Sequence, residues 1–128
     1  MRLVDTVVLV SSNDKTHRLY PRAIQHLSSL VDSNDVYIPS STLIEYDLEL
    51  KTHGFSAFDR QRILDDIGIV IPDNKILPCT PLILAVAIQF ESYGGFFDSL
   101  LAATAIMHGA VVISTDPVFD HLGIPRVW

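Results

Sequence analysis

The sequence predicts an α/β domain of three layers, an α/β/α sandwich with a mostly parallel central sheet. Three observations carry that expectation. Short β-branched runs alternate with longer helical patterns, in the order strand, helices, strand, helices, strand, helices, strand, strand. That order fits strands joined by helical crossovers. The run Val111-Val112-Ile113 has no polar alternation, as expected of a strand covered on both faces. Before it, Phe96 to His108 is apolar nearly all round until Gly109 stops it, which fits a helix buried on several sides.

The elements follow in order. Leu3 to Val10 reads as the first strand, with Asp5 and Thr6 set among Val4, Val7, Val8, Leu9 and Val10. Ser11 to Arg22 is polar and reads as a loop leading into an irregular helix start. Pro21 suits the opening of a helix over Arg22–Val31, with Ala23, Ile24, Leu27, Leu30 and Val31 on one face. Asp32-Ser33-Asn34-Asp35 is a turn cluster. Val36-Tyr37-Ile38 is a short strand ended by Pro39.

Ser40, Ser41 and Thr42 then offer caps to a helix that Gly54 closes. Ser56 or Asp59 begins another through Ile67, with Phe58, Ile63, Leu64 and Ile67 inward. Gly68 to Asn74 reads as a turn region. Lys75-Ile76-Leu77-Pro78 suits an edge strand, where proline is tolerated. Pro81 opens a helix through Tyr93, and Gly94-Gly95 breaks it so that Asp98 falls at the start of the next. After Asp116, Pro117 to Asp120 reads as a turn or one-turn helix, and Gly123 to Trp128 as a last short strand.

One domain over residues 1–128 is expected, since 128 residues at 48% hydrophobic can bury a sizeable core. No apolar run approaches the roughly 18 residues that cross a bilayer, so no membrane association is expected. Met1-Arg2-Leu3-Val4-Asp5 meets an acid at once, unlike a signal peptide. Cys79 is the lone cysteine, which fits a reducing cytoplasm. The net charge of −6 runs against the basic surface usual for nucleic-acid binders. Acids gathered in a metal site would blunt that objection, because two divalent cations cancel about four charges locally.

Four acids fall at comparable places: Asp5 in the first strand, Glu45 in the first turn of a helix, Asp98 at a helix start, Asp116 at a strand end. In a parallel sheet, strand C-termini share one edge, so the four can converge there. Crowded carboxylates repel, and a hard cation relieves them. Mg²⁺ or Mn²⁺ in such a site activates water and steadies the leaving oxygen at phosphorus, which points to phosphodiester hydrolysis. Glu45 also has a purely structural reading, because Thr42 and Glu45 have capping-box spacing. The histidines at 17, 26, 53, 108 and 121 show no ligand spacing. There is no Gly-rich phosphate loop with lysine and no dinucleotide fingerprint. Val7 stands where an aspartyl-nucleophile phosphatase would carry a second Asp.

On these residues the chain resembles the PIN domain family, and within it the single-domain, toxin-like endoribonucleases of VapC type. The matching pieces are Asp5-Thr6, Glu45 after Ile38-Pro39-Ser40, the run Asp98-Ser99-Leu100-Leu101-Ala102-Ala103-Thr104-Ala105, and Ile113-Ser114-Thr115-Asp116-Pro117-Val118-Phe119. The first two are weak alone, and the last two, in this order and spacing, are specific. The resemblance implies a ribonuclease dependent on Mg²⁺ or Mn²⁺, with Asp5, Glu45, Asp98 and Asp116 as its acidic quartet. Asp5, Asp98 and Asp116 would hold metal directly, and Glu45 would hold it or orient a metal-bound water. Thr6 and Ser114 would orient the carboxylates through their hydroxyls. Asp120 is either an additional acid or a solvated turn residue.

The resemblance also implies a prokaryotic toxin with an RNA substrate, a small antitoxin protein and a homodimer. The unusually apolar helices suit such partners. Two other roles stay open: an RNA-processing PIN nuclease without an antitoxin, and a catalytically silent PIN-like module that binds a protein. The chain departs from many members at Val7, where they carry Asn or Ser after Asp-Thr. Lys15, Arg18 and Arg22 flank the expected mouth of the site, as RNA-phosphate contacts or as a solvated polar face.

Overall fold

Residues 1–128 are described by a computed structural model. Five short strands form one sheet in the order β3-β2-β1-β4-β5, and every pairing is parallel. They are β1 (Arg2–Val4), β2 (Val36–Pro39), β3 (Ile76–Leu77), β4 (Val111–Ile113) and β5 (Arg126–Val127). Parallel neighbours need crossovers, and helices supply most of them. Helices α1 (Thr6–Ser12) and α2 (Tyr20–Asp32) join β1 to β2. Helices α3 (Ser40–Thr52) and α4 (Ala57–Val70) lead to β3, α5 (Pro81–Ala87) and α6 (Phe96–His108) lead to β4, and α7 (Val118–His121) precedes β5.

The pleat divides the core between the two sheet faces. In β1, Leu3 and Val4 point to opposite sides, as do Val112 and Ile113 in β4. Val4 and Ile113 pack with Val8 and Leu9 of α1, Ala23 and Leu30 of α2, and Tyr46 and Leu50 of α3. Leu3 and Val112 pack with Leu101, Ala102 and Ala105 of α6 and Phe119 of α7. A third cluster joins Ile83 and Ala87 of α5 to Leu100 and Ala103 of α6. The sandwich is therefore three-layered and its sheet wholly parallel.

Several boundaries differ from the sequence expectation. The strand expected over Leu3–Val10 stops at Val4, and the rest is α1. Asp5 causes the switch. Its backbone is extended and its carboxylate accepts the Thr6 amide at 2.6 Å, which caps a helix. Burial of Val8 and Leu9 then outweighs the modest helix penalty of β-branched residues. Ser40, Ser41 and Thr42 do not cap α3, which begins at Ser40 after Pro39. Thr42 instead donates its hydroxyl to the Val4 carbonyl at 3.2 Å.

Ser56 caps α4, which runs through Gly68 to Val70. Phe58, expected inward, is 69% exposed, with the Arg62 guanidinium over its ring at 6.0 Å. Helix α4 has no fully buried residue. It leans on the first core through half-buried Ile63, Leu64 and Ile67, and on α3 through the two-pronged Arg60–Asp47 pair at 2.7 and 2.8 Å. Helix α5 is regular only to Ala87 and continues as a 3₁₀ turn over Ile88–Phe90. Helix α6 begins at Phe96, two residues before Asp98, and its last turn carries exposed Ile106 and Met107.

The strand order decides where a ligand can lie. From β1 the chain steps to β2 and β3 on one side, then returns to β4 and β5 on the other. The reversal leaves a crevice beyond the C-terminal ends of β1 and β4, the usual ligand position in open parallel sheets. Asp5 follows β1 directly and Ser114 follows β4 directly.

Candidate metal centre

Asp5 anchors the crevice. It is 8% exposed, and its backbone amide bonds the Ile113 carbonyl at 3.2 Å, locking it against β4. One carboxylate oxygen takes the Thr6 amide, and the other takes the hydroxyl of Ser114, which is wholly buried. The Ser114 oxygen also accepts the Asp116 amide at 3.0 Å. One serine thus fixes two acids. The Asp116 carboxylate accepts the Val118 amide at 2.8 Å and begins α7. Thr6, from the first turn of α1, donates its hydroxyl to the Glu45 carboxylate on α3. The capping-box role for Glu45 is therefore not the one observed.

Asp98 enters from the third position of α6, where it accepts the Gly95 amide at 3.0 Å. The Gly94-Gly95 turn passes close over it. A Cβ at Gly95 would lie 3.0 Å from the Asp98 carboxylate, and one at Gly94 would lie 3.3 Å from both Asp98 and Val118. This approach needs the absence of side chains there.

Asp5, Glu45, Asp98 and Asp116, with Thr6 between them, line one cleft of about 410 Å³. Val7, Val10, Glu49, Thr115 and Pro117 complete its wall. Val7 adds an apolar patch to that wall. Glu49 is an addition that the sequence reading passed over. It follows Glu45 by one helical turn, and that i, i+4 spacing was the available signal.

The electrostatics are those of crowded acids. Burial raises the Asp5 pKa to about 6, against the lowering pull of Ser114 and Thr6, and Asp98 and Asp116 add to the rise. Burial raises Glu45 to about 7, partly offset by Thr6 and reinforced by Asp5, Asp98 and Glu49. No lysine or arginine lines the cleft. Arg126 faces Asp116 electrostatically, but its guanidinium is engaged by Asp120 at 2.7 to 2.9 Å and by the Ser114 carbonyl at 3.5 Å.

The residues fit a hard divalent cation in kind: several carboxylate oxygens, no sulfur or imidazole, and an unbalanced negative charge. As the side chains stand, no three acids converge tightly enough to grip one ion. Each accepts from a local donor instead: Asp5 from Thr6 and Ser114, Glu45 from Thr6, Asp98 from Gly95 and Asp116 from Val118.

The remaining expected residues lie elsewhere. Asp120 is outside the cleft, within α7, and its carboxylate pairs with Arg126 of β5. Lys15 and Arg18 are exposed in the turn between α1 and α2. Arg22 reaches the Trp128 carbonyl at 3.1 Å. None of these three cations touches the cleft wall.

Comparison with known proteins gives a family and a fold. The PIN domain family model matches residues 2–125. FitAcB from Neisseria gonorrhoeae is 24% identical, with a TM-score of 0.76 over 100% of this chain and 97% of that one. VapBC2 from Rickettsia felis, solved bound to a DNA fragment from its promoter, is 17% identical, with a TM-score of 0.71 over 99% and 98% of the two chains. VapC20 of Mycobacterium tuberculosis, a sarcin-ricin loop cleaving toxin, is 14% identical, with a TM-score of 0.77 over 99% and 98%. These likenesses show the fold. No curated protein matches the sequence. No helix is long and apolar enough to cross a membrane.

Proposed function

This chain belongs to the PIN domain family, and from that premise we propose that it is a Mg²⁺- or Mn²⁺-dependent endoribonuclease, a VapC-like toxin of a toxin–antitoxin pair. The observation that carries the reading is the shared cleft of Asp5, Glu45, Asp98 and Asp116 at the sheet's switch point. These acids come from four separate stretches of the chain: the end of β1, the loop after β4, α3 and α6.

Asp5, Asp98 and Asp116 would hold the cation. Bound there, it supplies a Lewis acid toward phosphate oxygens and makes water acidic enough to act as a nucleophile. Glu45 is held by Thr6 so that it either joins the ligands or orients the attacking water. Ser114 keeps Asp5 aimed into the crevice and keeps the Asp116 loop beside it. The cleft's acids repel phosphate, and a cation held by them would offset that charge.

The likeness to VapC20, a toxin, supports the toxin reading. Exposed apolar side chains on α3, α4 and α5 suit a small antitoxin and a second copy of the chain. The proposed setting is the cytoplasm.

The decisive experiment is Mn²⁺-dependent cleavage of varied single-stranded RNAs by pure protein. Wild type should cleave, and Asp98→Asn should lose at least about 100-fold of that activity with its circular dichroism unchanged. Intact, folded wild type that cleaves nothing would leave the silent interaction module as the better reading. A short reading frame directly upstream of the gene would favour a toxin over an RNA-processing enzyme.

A further inference from the structure

A neighbouring cavity lies on the other side of Glu49 from the acid cleft. It measures about 220 Å³, shares the Val10 and Glu49 wall with that cleft and continues to Asn13, Asp14, His53 and Phe55. Its far side is built by the end of α3. Gly54 sits at φ 84°, its amide bonds the Lys51 carbonyl at 3.1 Å, and the Phe55 amide bonds the Leu50 carbonyl at 3.1 Å. These are the two bonds of a Schellman cap. The turn fixes Phe55 at the cavity with 40% of its surface still open to solvent. His53 is fixed too, through its Nδ1 and the Glu49 carbonyl at 2.7 Å.

The polar groups define what can enter. Asp14 has one oxygen committed to the Thr16 amide and hydroxyl, at 2.8 and 2.6 Å. The Glu49 carboxylate accepts no hydrogen bond from the protein, and the imidazole Nδ1 of His53 lies 3.6 Å from it. Two carboxylates with no lysine or arginine repel a phosphate. An aromatic ring beside free carboxylate oxygens accepts a flat, neutral, donor-bearing group instead. Among RNA bases, guanine alone presents two adjacent N–H donors on its Watson–Crick edge, at N1 and N2, and one carboxylate can take both. Adenine and cytosine set an acceptor beside their amine, and uracil flanks its N–H with two carbonyls, so on that edge each offers a carboxylate only one donor. Splayed bases stacked on aromatic rings are the usual mode of single-strand RNA recognition.

We infer that this cavity is a guanine subsite for single-stranded RNA. Phe55 stacks on the base and Glu49 accepts from N1 and N2, which seats a nucleotide neighbouring the phosphate at the acids. The inference rests on the nuclease reading for its direction, since Val10 and Glu49 line both cavities and so set them side by side.

The test is binding, read apart from cleavage. Labelled five-nucleotide uridine RNAs carrying one guanosine or one inosine, at each position in turn, are titrated by fluorescence anisotropy with Ca²⁺ present. Inosine lacks only the N2 amine. At one position guanosine should bind about tenfold tighter than inosine, the size of one good base contact. Glu49→Gln should erase that difference, because its amide N–H₂ meets the base donors. Phe55→Ala should weaken both RNAs, with the fold of each variant checked by circular dichroism. Equal binding of guanosine and inosine at every position, no binding of any RNA, or a preference that survives Glu49→Gln would overturn the subsite. Failure of the nuclease reading appears separately, as absent Mn²⁺-dependent cleavage by a protein that still prefers guanosine.

Discussion

A carboxylate as buried as Asp5 depends on each donor it has, and Ser114 is the one that serves a second acid as well. Its hydroxyl donates to Asp5 and its oxygen accepts the Asp116 amide. Ser114→Ala therefore leaves one buried acceptor and one amide without a partner. The expected loss is about 1–3 kcal/mol of stability for the unsatisfied group, read by urea denaturation. Mn²⁺ affinity should fall by about 10–100-fold, read by calorimetry. Unchanged affinity would mean that Ser114 merely fills space.

His26 gives a prediction of a different kind. It is 8% exposed, its Nε2 has no partner, and its ring lies edge-on to Trp128 at 5.2 Å. Burial first, then Arg22 of its own helix and Arg2 of β1, lower its pKa. The native state thus binds fewer protons than the unfolded chain, whose histidine titrates near about 6.5. The stability it confers is complete above that pH and is lost as pH falls toward its folded pKa. Asp5 and Glu45 act oppositely over an overlapping range, since their raised pKa values favour the native state at lower pH. The clean measurement is consequently a difference. The Tm of His26→Phe minus that of wild type should become more positive from pH 7 to pH 5. A flat difference would show that protonation there costs nothing.

At the scale of elements, Gly109 isolates one backbone effect. It follows α6 at φ 58° and ψ 39°, left-handed, and a Cβ there would meet nothing within 4 Å. Gly109→Ala should cost about 1 kcal/mol from conformation alone. The urea midpoint should move down with its slope unchanged. This stop was legible in the sequence, as were the buried strand Val111–Ile113 and the three-layer alternation, because each rests on a local rule. Helix α1 was not legible. Its valines read as strand, and only the tertiary contacts of Val8 and Leu9, with the cap from Asp5, make that segment helical. Phe58 failed for the reverse reason. Helical periodicity marks an apolar face, but Phe58 lies near the start of α4, beyond the core the helix leans on. The candidate site was legible where an acid closes a strand or opens a helix. Glu49 was hidden among ordinary helix charges, and the three cations sit on a surface whose position sequence does not fix.

The molecule as a whole leaves apolar surface that its own core does not use. On α3, Ile44 and Leu48 are 56% and 45% exposed, one turn apart. Leu84 of α5 and Ile88 after it are 43% and 66% exposed, also one turn apart. Neither pair can be brought inward without unwinding a helix whose opposite side is already packed, since α3 is committed through Tyr46 and Leu50 and α5 through Ile83 and Ala87. Such stripes suit contact with another chain. A standard interface buries about 800 Å² on each partner, roughly a tenth of the 7078 Å² this chain exposes. The homodimer expected from the family resemblance is the simplest cover, and it should appear as a dimeric mass in sedimentation at micromolar concentration. Leu48→Asp and Leu84→Asp should each shift that mass toward monomer, because a carboxylate cannot be buried unpaired without several kcal/mol of cost. Both substitutions are on exposed sites, so circular dichroism should be unchanged. A wild-type protein that sediments as a monomer at every concentration would assign these helices to a different protein partner, and the antitoxin would be the first to try.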